Sequence, residues 1–551
     1  MATVVDLPAA CLFAPWTIRN HPDVGLEIFF VSILSVVPFF SALSCTKSFR
    51  TDPSFFESPI QTAPKMAIHM PRNAAATDPL RPTADSPPLA HPVNGEPLYT
   101  AAPDEATAID EIIINPLQKE EIIFIRKAPS PSAGFLIYRL LEASPSEDRK
   151  PASSPFTLSV LSASHLPDDL SDLLIADTTP AHLRSHVDVI VSTRSGTGQA
   201  PCFYEGVLRP LLEGLGLDAA AETEGFAPSD GYRSRNRYRL VTTTSPRSVT
   251  EYAVGLGDGE RTVILLSGDG GVVDLLNGLD QSAHNKGAPP PPTIALLPLG
   301  TGNALFHSLH KPHYTTTTTP SPSPLTLALR TLVKGTSSAL PTFKTDFSPG
   351  SRLVSTEGND DGKQVSHLIG AIVASYGFHA QLVWESDTPA YRAHGDKRFG
   401  MAAGELLKEG HVYDASLGVK RRGEGGTTTP APPGFTYILA TLVSNLERTF
   451  TISPASRPLD GRLRVVHFGD VGGGERTMEI MMAAYRGGEH VGMEGVGGED
   501  DEVEEVRVEV REKDARWRKV CVDGTIVEVE EGGWFVVRQE REGGRVRILR
   551  H

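Results

Sequence analysis

Through the middle of this chain, runs of apolar and β-branched residues end in glycine-rich turns and lead into stretches with helical spacing. Val187-Asp188-Val189-Ile190-Val191-Ser192 predicts a strand, followed by a turn over 193–199 and a helix through Leu212. Residues 237–243 predict a second strand and 247–256 a helix. Thr262-Val263-Ile264-Leu265-Leu266 and Thr293-Ile294-Ala295-Leu296-Leu297 read as buried strands, each followed by a glycine turn and a helix. Four such alternations predict a parallel sheet covered on both faces, a doubly wound α/β domain over 183–335.

Ahead of it, residues 121–126, 135–140 and 156–161 are short β-like runs, predicting a small β-rich module over 108–180. A packing role fits this module better than a pleckstrin-like lipid reader. Beyond residue 340 the pattern turns to strands again, at 367–376, 435–443, 463–468, 478–485, 506–510, 519–522, 534–537 and 546–549. Val506, Val508 and Val510 alternate with charged residues, as a half-exposed strand should. The expectation is a β-sandwich-like domain over 340–551, interrupted by a helical-looking segment at 384–400. The acidic run 499–505 reads as a solvated loop. Proline-, threonine- and glycine-rich stretches at 288–292, 315–324, 358–362 and 423–433 read as surface insertions.

Residues 1–107 have a different character. Positions 24–45 are almost continuously apolar, broken by Glu27 and Pro38 and flanked by Arg19, Lys47 and Arg50. Three readings stay open: a membrane anchor, an unused signal-like segment, or an extension ahead of a later start at Met66 or Met70. Residues 51–107 are rich in proline and alanine and read as a disordered linker. Of 551 residues, 40% are apolar, enough for two cores, and the formal charge of -15 argues against a polyanion-binding surface. No nucleic-acid partner is expected. Cys11, Cys45, Cys202 and Cys521 are far apart, which fits a reducing compartment rather than a disulfide scaffold or zinc site.

The candidate chemistry lies in the two glycine turns. In Ser267-Gly268-Asp269-Gly270-Gly271, main-chain N–H groups can approach an anion at a helix N-terminus, so a phosphate suits the turn. Asp269 sits inside it, where a carboxylate can take a proton from a hydroxyl or meet a metal ion. Asp-Gly is also an ordinary turn dipeptide. The second turn, Pro298-Leu299-Gly300-Thr301-Gly302-Asn303, falls at the same carboxyl edge of the sheet, where open α/β sheets bind ligands. There is no Walker-type loop, and no G-x-G-x-x-G turn opens the first helix.

Together the two turns resemble the catalytic-domain signatures of the diacylglycerol kinase and sphingosine kinase superfamily, with wording closer to the sphingosine kinase branch. The resemblance spans residues 183–540. It implies ATP and Mg2+ as cofactors, Asp269 as general base on a primary lipid hydroxyl, and a lipid-binding second domain. It implies that Gly268, Gly270, Gly271, Gly300, Thr301, Gly302 and Asn303 cradle the nucleotide. Ser195-Gly196 resembles part of the family's first loop, although the family's Asn-Pro is Ser192-Thr193 here. Tyr391-Arg392 and Arg398-Phe399 resemble a segment in which two arginines hold phosphates, a task for which the planar guanidinium is suited. Val522-Asp523-Gly524-Thr525 resembles the family's Asp-Gly-Glu, placing Gly524 near the nucleotide and leaving Thr525 where the family has glutamate. Where sphingosine kinases carry Asp-x-Asp to bind the sphingoid amine, this chain has Gln381-Leu382-Val383. Either Glu385 or Asp387 substitutes, or the lipid has no free amine. The resemblance names no metal ligand here.

The expected function is therefore an ATP-dependent kinase of a membrane lipid, cytoplasmic and membrane-associated. A sphingoid base is the first expectation for that lipid, with diacylglycerol or ceramide as the alternative. A catalytically weak nucleotide- or lipid-binding protein is the alternative from another class. An NAD kinase shares the Gly-Asp-Gly turn but not the arginine segment.

Overall fold

The computed structural model describes residues 117–129, 134–143, 154–220, 237–257, 259–286, 290–314, 320–356, 362–395, 397–423, 434–540 and 544–551. The apolar segment 24–45, the linker 51–107 and much of the low-complexity insertions lie outside them.

Seven described strands form the α/β sheet, in the spatial order Asp218–Ala219, Arg237–Thr242, His186–Val191, Arg261–Ser267, Thr293–Pro298, Arg547–Arg550, Thr336–Ala339. All neighbours are parallel except the last pair. Side chains of alternate residues point to opposite faces of a strand, so the apolar runs serve two cores at once. Ile190, Val263, Leu265 and Ile294 face the helices Ser248–Val254 and Asp269–Lys286. Val189, Val191, Ile264, Leu266 and Leu297 face the other way, onto Phe203, Leu208 and Leu329.

The N-terminal module is an antiparallel sheet of Ile122–Lys127, Phe135–Glu142 and Phe156–Ala163. Phe124, Tyr138 and Phe156 join that second core, and Arg330 of the helix Pro324–Lys334 donates a 2.8 Å hydrogen bond to the carbonyl of Ile122. The module is thus a wing of the α/β domain.

Most of the remaining chain forms one antiparallel half-barrel sheet, with eleven strands among the described residues. This differs from the expected sandwich. Instead of a second sheet, three helices are interspersed with its strands: Phe378–Ser386, Lys397–Glu409 and Gly474–Tyr485. The last replaces a predicted strand at 478–485. Its buried residues Thr477, Ile480, Ala483 and Ala484 follow the helical repeat, which a short apolar run between glycines conceals. The acidic run 499–505 is not a loop but lies inside the strand Val496–Val510. Basic neighbours allow this: Lys420 pairs with Glu504 at 3.3 Å and Arg538 with Glu505 at 2.7 Å. Strand Arg547–Arg550 returns to the parallel sheet, so the chain crosses between the two halves twice. The halves also share one core, in which Val263, Leu275 and Leu276 meet Phe343, Ile369 and Ile372.

Candidate active site at the meeting of three loops

Strand Arg261–Ser267 ends in the buried Ser267, and helix Asp269–Lys286 begins two residues later. So abrupt a turn brings Gly268 against the second loop. A Cβ on Gly300 would overlap the Cα of Gly268, and one on Gly268 would overlap the carbonyl oxygen of Gly302. Gly196, with φ of 55°, packs equally closely, since a Cβ there would come 2.6 Å from the carbonyl oxygen of Leu299. These three glycines let the loops touch one another. Gly270 is different: a Cβ would meet nothing within 4 Å. Its surroundings are open enough for a ligand.

Asp269 fastens the loops electrostatically. Its own N–H donates to the carbonyl of Gly302 at 3.0 Å. Its carboxylate accepts from the N–H groups of Ala304, at 2.7 Å, and Leu305, at 3.2 Å. These are the first residues of helix Ala304–Tyr314, whose N-terminal N–H groups have no partner within the helix. Removal from water disfavours the charge more than the two N–H groups favour it, and the Asp269 pKa is pushed up to about 6. A carboxylate so poised is ionised at neutral pH yet more basic than an exposed one.

Around this centre, Ser195 Oγ lies 2.9 Å from Ser192 Oγ and 3.0 Å from Ser267 Oγ, and Asn303 donates to the carbonyl of Gly300 at 2.8 Å. Thr193 donates through N–H and hydroxyl to Thr243 at 3.0 and 2.9 Å. Thr301 is half-buried and Gly302 exposed on the same rim.

The half-barrel contributes a second carboxylate that sequence reasoning passed over. Val522 pairs with Thr525, so Asp523 and Gly524 form a two-residue hairpin turn, with φ of 46° and 91°. Asp523 is buried and accepts from the N–H groups of Ala371 at 2.6 Å, Ile372 at 3.1 Å and Val373 at 2.6 Å. Burial pushes its pKa up to about 7, and repulsion from Asp269 adds to the rise. The sequence signal was the Asp-Gly turn between two β-branched runs.

Asp387, Arg392 and Arg398 are brought together, but onto one another, while Glu385 is held by other residues. Asp387 accepts from Arg392 at 2.6 and 3.0 Å and from Arg398 at 3.1 Å. Burial pulls the Arg398 pKa down against this attraction, and its Nε is buried without a partner. Glu385 accepts from Arg516 at 2.9 and 3.2 Å and from Gln381 at 2.8 Å. The Asp387 carbonyl takes a 2.9 Å hydrogen bond from Thr356, just beyond the strand Arg352–Leu353 that pairs with Thr525–Glu528. The arginines therefore flank the hairpin that carries Asp523. Among the described residues, no group of three or more His, Cys, Asp or Glu side chains could hold a metal ion.

No curated protein matches the chain in sequence. Among solved structures, a diacylglycerol kinase from Bacillus anthracis str. Sterne aligns at 12% identity and a TM-score of 0.38, over 66% of this chain and 97% of its own. A yeast NADH kinase complexed with NADH aligns at 10% identity and a TM-score of 0.31, over 68% and 88%. Residues 186–344, which hold all three loops and Asp269, match the family described as the diacylglycerol kinase catalytic domain.

Proposed function

We propose that this protein is an ATP-dependent lipid kinase in which Asp269 is the general base. The observation that carries the reading is the position of Asp269, bound through its N–H to Gly302 and through its carboxylate to the N–H groups of Ala304 and Leu305, at the point where the glycine loops touch. Asp269 takes the proton of a primary hydroxyl, and the freed oxygen attacks the γ-phosphorus in line. The bond to the β-phosphate oxygen breaks, and ADP leaves with the electron pair. The open surroundings of Gly270 and the rim of Gly302 and Thr301 suit phosphate oxygens. Arg392 and Arg398 would bind phosphate while Asp387 holds them in orientation. Mg2+ commonly takes one or two carboxylates and completes its shell with phosphate and water; the partly exposed Asp269 would be such a carboxylate for an ion that arrives with ATP and offsets its charge. The lipid and the membrane surface that holds it are the expected partners.

For the lipid, the placement of Glu385 and Asp387 supports the second expectation over the first. Both carboxylates are already neutralised by arginine, and Val383 brings none. A lipid without a free amine, of the diacylglycerol or ceramide kind, therefore fits better than a sphingoid base. Transfer from labelled ATP to sphingosine, phytosphingosine, ceramide and diacylglycerol in mixed micelles, beside Asp269→Ala, tests both points. Turnover on a neutral lipid, lost in the variant, is expected. Turnover on sphingosine alone would return the amine to consideration. ATP binding without turnover on any lipid would favour a binding protein.

A further inference from the structure

The two helices that frame the site are tied by polar side chains to the half-barrel, Asn277 and Asp280 on one and Ser308 on the other, and we propose that Asn277 and Ser308, each of which grips both the N–H and the C=O of one residue, are positioning residues that fix Asp269 relative to Asp523. The inference rests on the kinase reading only for the task it gives Asp269.

Asn277 lies two turns along the helix that begins at Asp269, about 12 Å from it at the usual helical rise. Its amide spans the interface with both ends. Nδ2 donates to the carbonyl of Ile369 at 2.9 Å, and Oδ1 accepts from the N–H of Ile369 at 3.0 Å. Nδ2 also donates to Val273 in its own helix at 2.8 Å, which holds the side chain in one orientation. Ile369 stands two residues before Ala371, the first of the three N–H donors that hold Asp523. A short, fully hydrogen-bonded path therefore runs from one carboxylate to the other.

Ser308 repeats the arrangement on the other helix. It lies four residues beyond Ala304, which holds the Asp269 carboxylate. Its hydroxyl accepts from the N–H of Asn445 at 3.0 Å and donates to the carbonyl of Asn445 at 3.0 Å. Asn445 follows strand Phe435–Thr441, whose Thr441 pairs with Val373, another of the Asp523 donors. Both helices thus engage the frame around Asp523 through a main-chain N–H and C=O pair of a single residue.

Directional bonds matter here because, apart from Asp280 beside His367 at 2.9 Å and Arg545 at 2.6 Å, the helix Asp269–Lys286 meets the half-barrel through apolar side chains. Val272, Leu275, Leu276 and Leu279 pack against it from the same helix, and apolar contact is non-directional. Such packing holds two surfaces together without fixing how far one has slid along the other. A side chain that must meet both a donor and an acceptor fixes that register.

The test uses the full chain with Cys11 and Cys45 changed to serine and spin labels on the exposed Cys202 and on Glu531→Cys, an exposed position of the half-barrel; Cys521 is buried. A single narrow distance distribution is expected. Asn277→Ala and Ser308→Ala should each broaden it, and the double variant more. Asn277→Asp, which keeps the acceptor for the Ile369 N–H, should fall between and serves if alanine fails to fold. On whichever lipid is turned over, kcat should drop by tenfold or more while the KM for ATP stays within twofold. An unchanged distribution in the double variant overturns the proposal, as does a KM for ATP that rises in step with the loss of kcat. Absence of turnover in the unsubstituted protein would sink the kinase reading, and the label distances would still decide whether these residues hold the halves in register.

Discussion

The carboxylate of Asp269 accepts a 2.7 Å hydrogen bond from the N–H of Ala304, so the proposed base of one loop also caps the helix that follows the other. Chemistry and local structure therefore share one side chain, and two of the predictions below separate them.

Asp269→Asn keeps the shape but not the basicity. Loss of a general base typically lowers rate by about 100- to 10,000-fold, and that loss is expected in the transfer assay. Asp269→Ala should show the same loss and in addition be less stable by about 1–3 kcal/mol, because two N–H groups lose their acceptor. Thermal melts of the two variants check the second part. Full activity in Asp269→Asn would leave the residue with the capping role alone.

The pH profile follows from the raised pKa values, about 6 for Asp269 and about 7 for Asp523, against an ordinary 3.8. For activity, Asp269 must be ionised, so kcat should rise with pH through about 6 and then level. For stability the sign is opposite. A carboxyl group whose pKa is higher when folded retains a proton that the unfolded chain has already released. Its contribution is complete below 3.8 and is lost as pH climbs through the folded value. The Tm of the protein relative to Asp523→Asn should therefore fall between pH 4 and about 7. A difference independent of pH would show that Asp523 does not titrate there.

Gly270 and Gly300 should respond differently to alanine. At Gly300 the methyl group has no room beside Gly268, and overpacking of this kind costs about 1–3 kcal/mol. Gly270→Ala should melt near the unsubstituted protein, because the methyl group meets open space. If that space receives phosphate, its KM for ATP should rise by about tenfold, a 1.4 kcal/mol effect. An unchanged KM would place the phosphates elsewhere.

Asp387→Asn separates two tasks for that carboxylate. Asp387 orients Arg392 and Arg398, so the variant should raise the KM for ATP several-fold and leave the KM for lipid unchanged. A raised KM for an amine-bearing lipid alone would instead make Asp387 the amine reader.

Much of the α/β half was legible because its signals are local. Runs such as 262–266 and 293–297 are buried on both faces, and the glycine turns after them mark the carboxyl edge without knowledge of anything distant. The half-barrel was less legible where the local pattern misleads. Residues 478–485 look like a strand because Met478 to Met482 form a short run whose helical partners lie outside it, and the charges at 499–505 look solvated until Lys420 and Arg538 are placed beside them. Asp523 stood only within the run Val522-Asp523-Gly524-Thr525 that resembles an Asp-Gly-Glu motif, with no task of its own, since nothing near it in the chain announces the three N–H groups contributed by residues 371–373.

What the sequence determined by itself was the four strands at 187–192, 237–243, 262–266 and 293–297 and the glycine loops, with Asp269 inside one of them, all of which follow from spacing within a few residues. What only the tertiary structure decided was that Asp523 is held by three N–H groups from residues 371–373, and that Glu385 and Asp387 are held by arginines. The reason is physical: burial, pKa and the availability of a carboxylate depend on groups that reach it through space, such as Arg516 for Glu385 and Asn277 for Ile369, and their distance along the chain carries no trace of that contact.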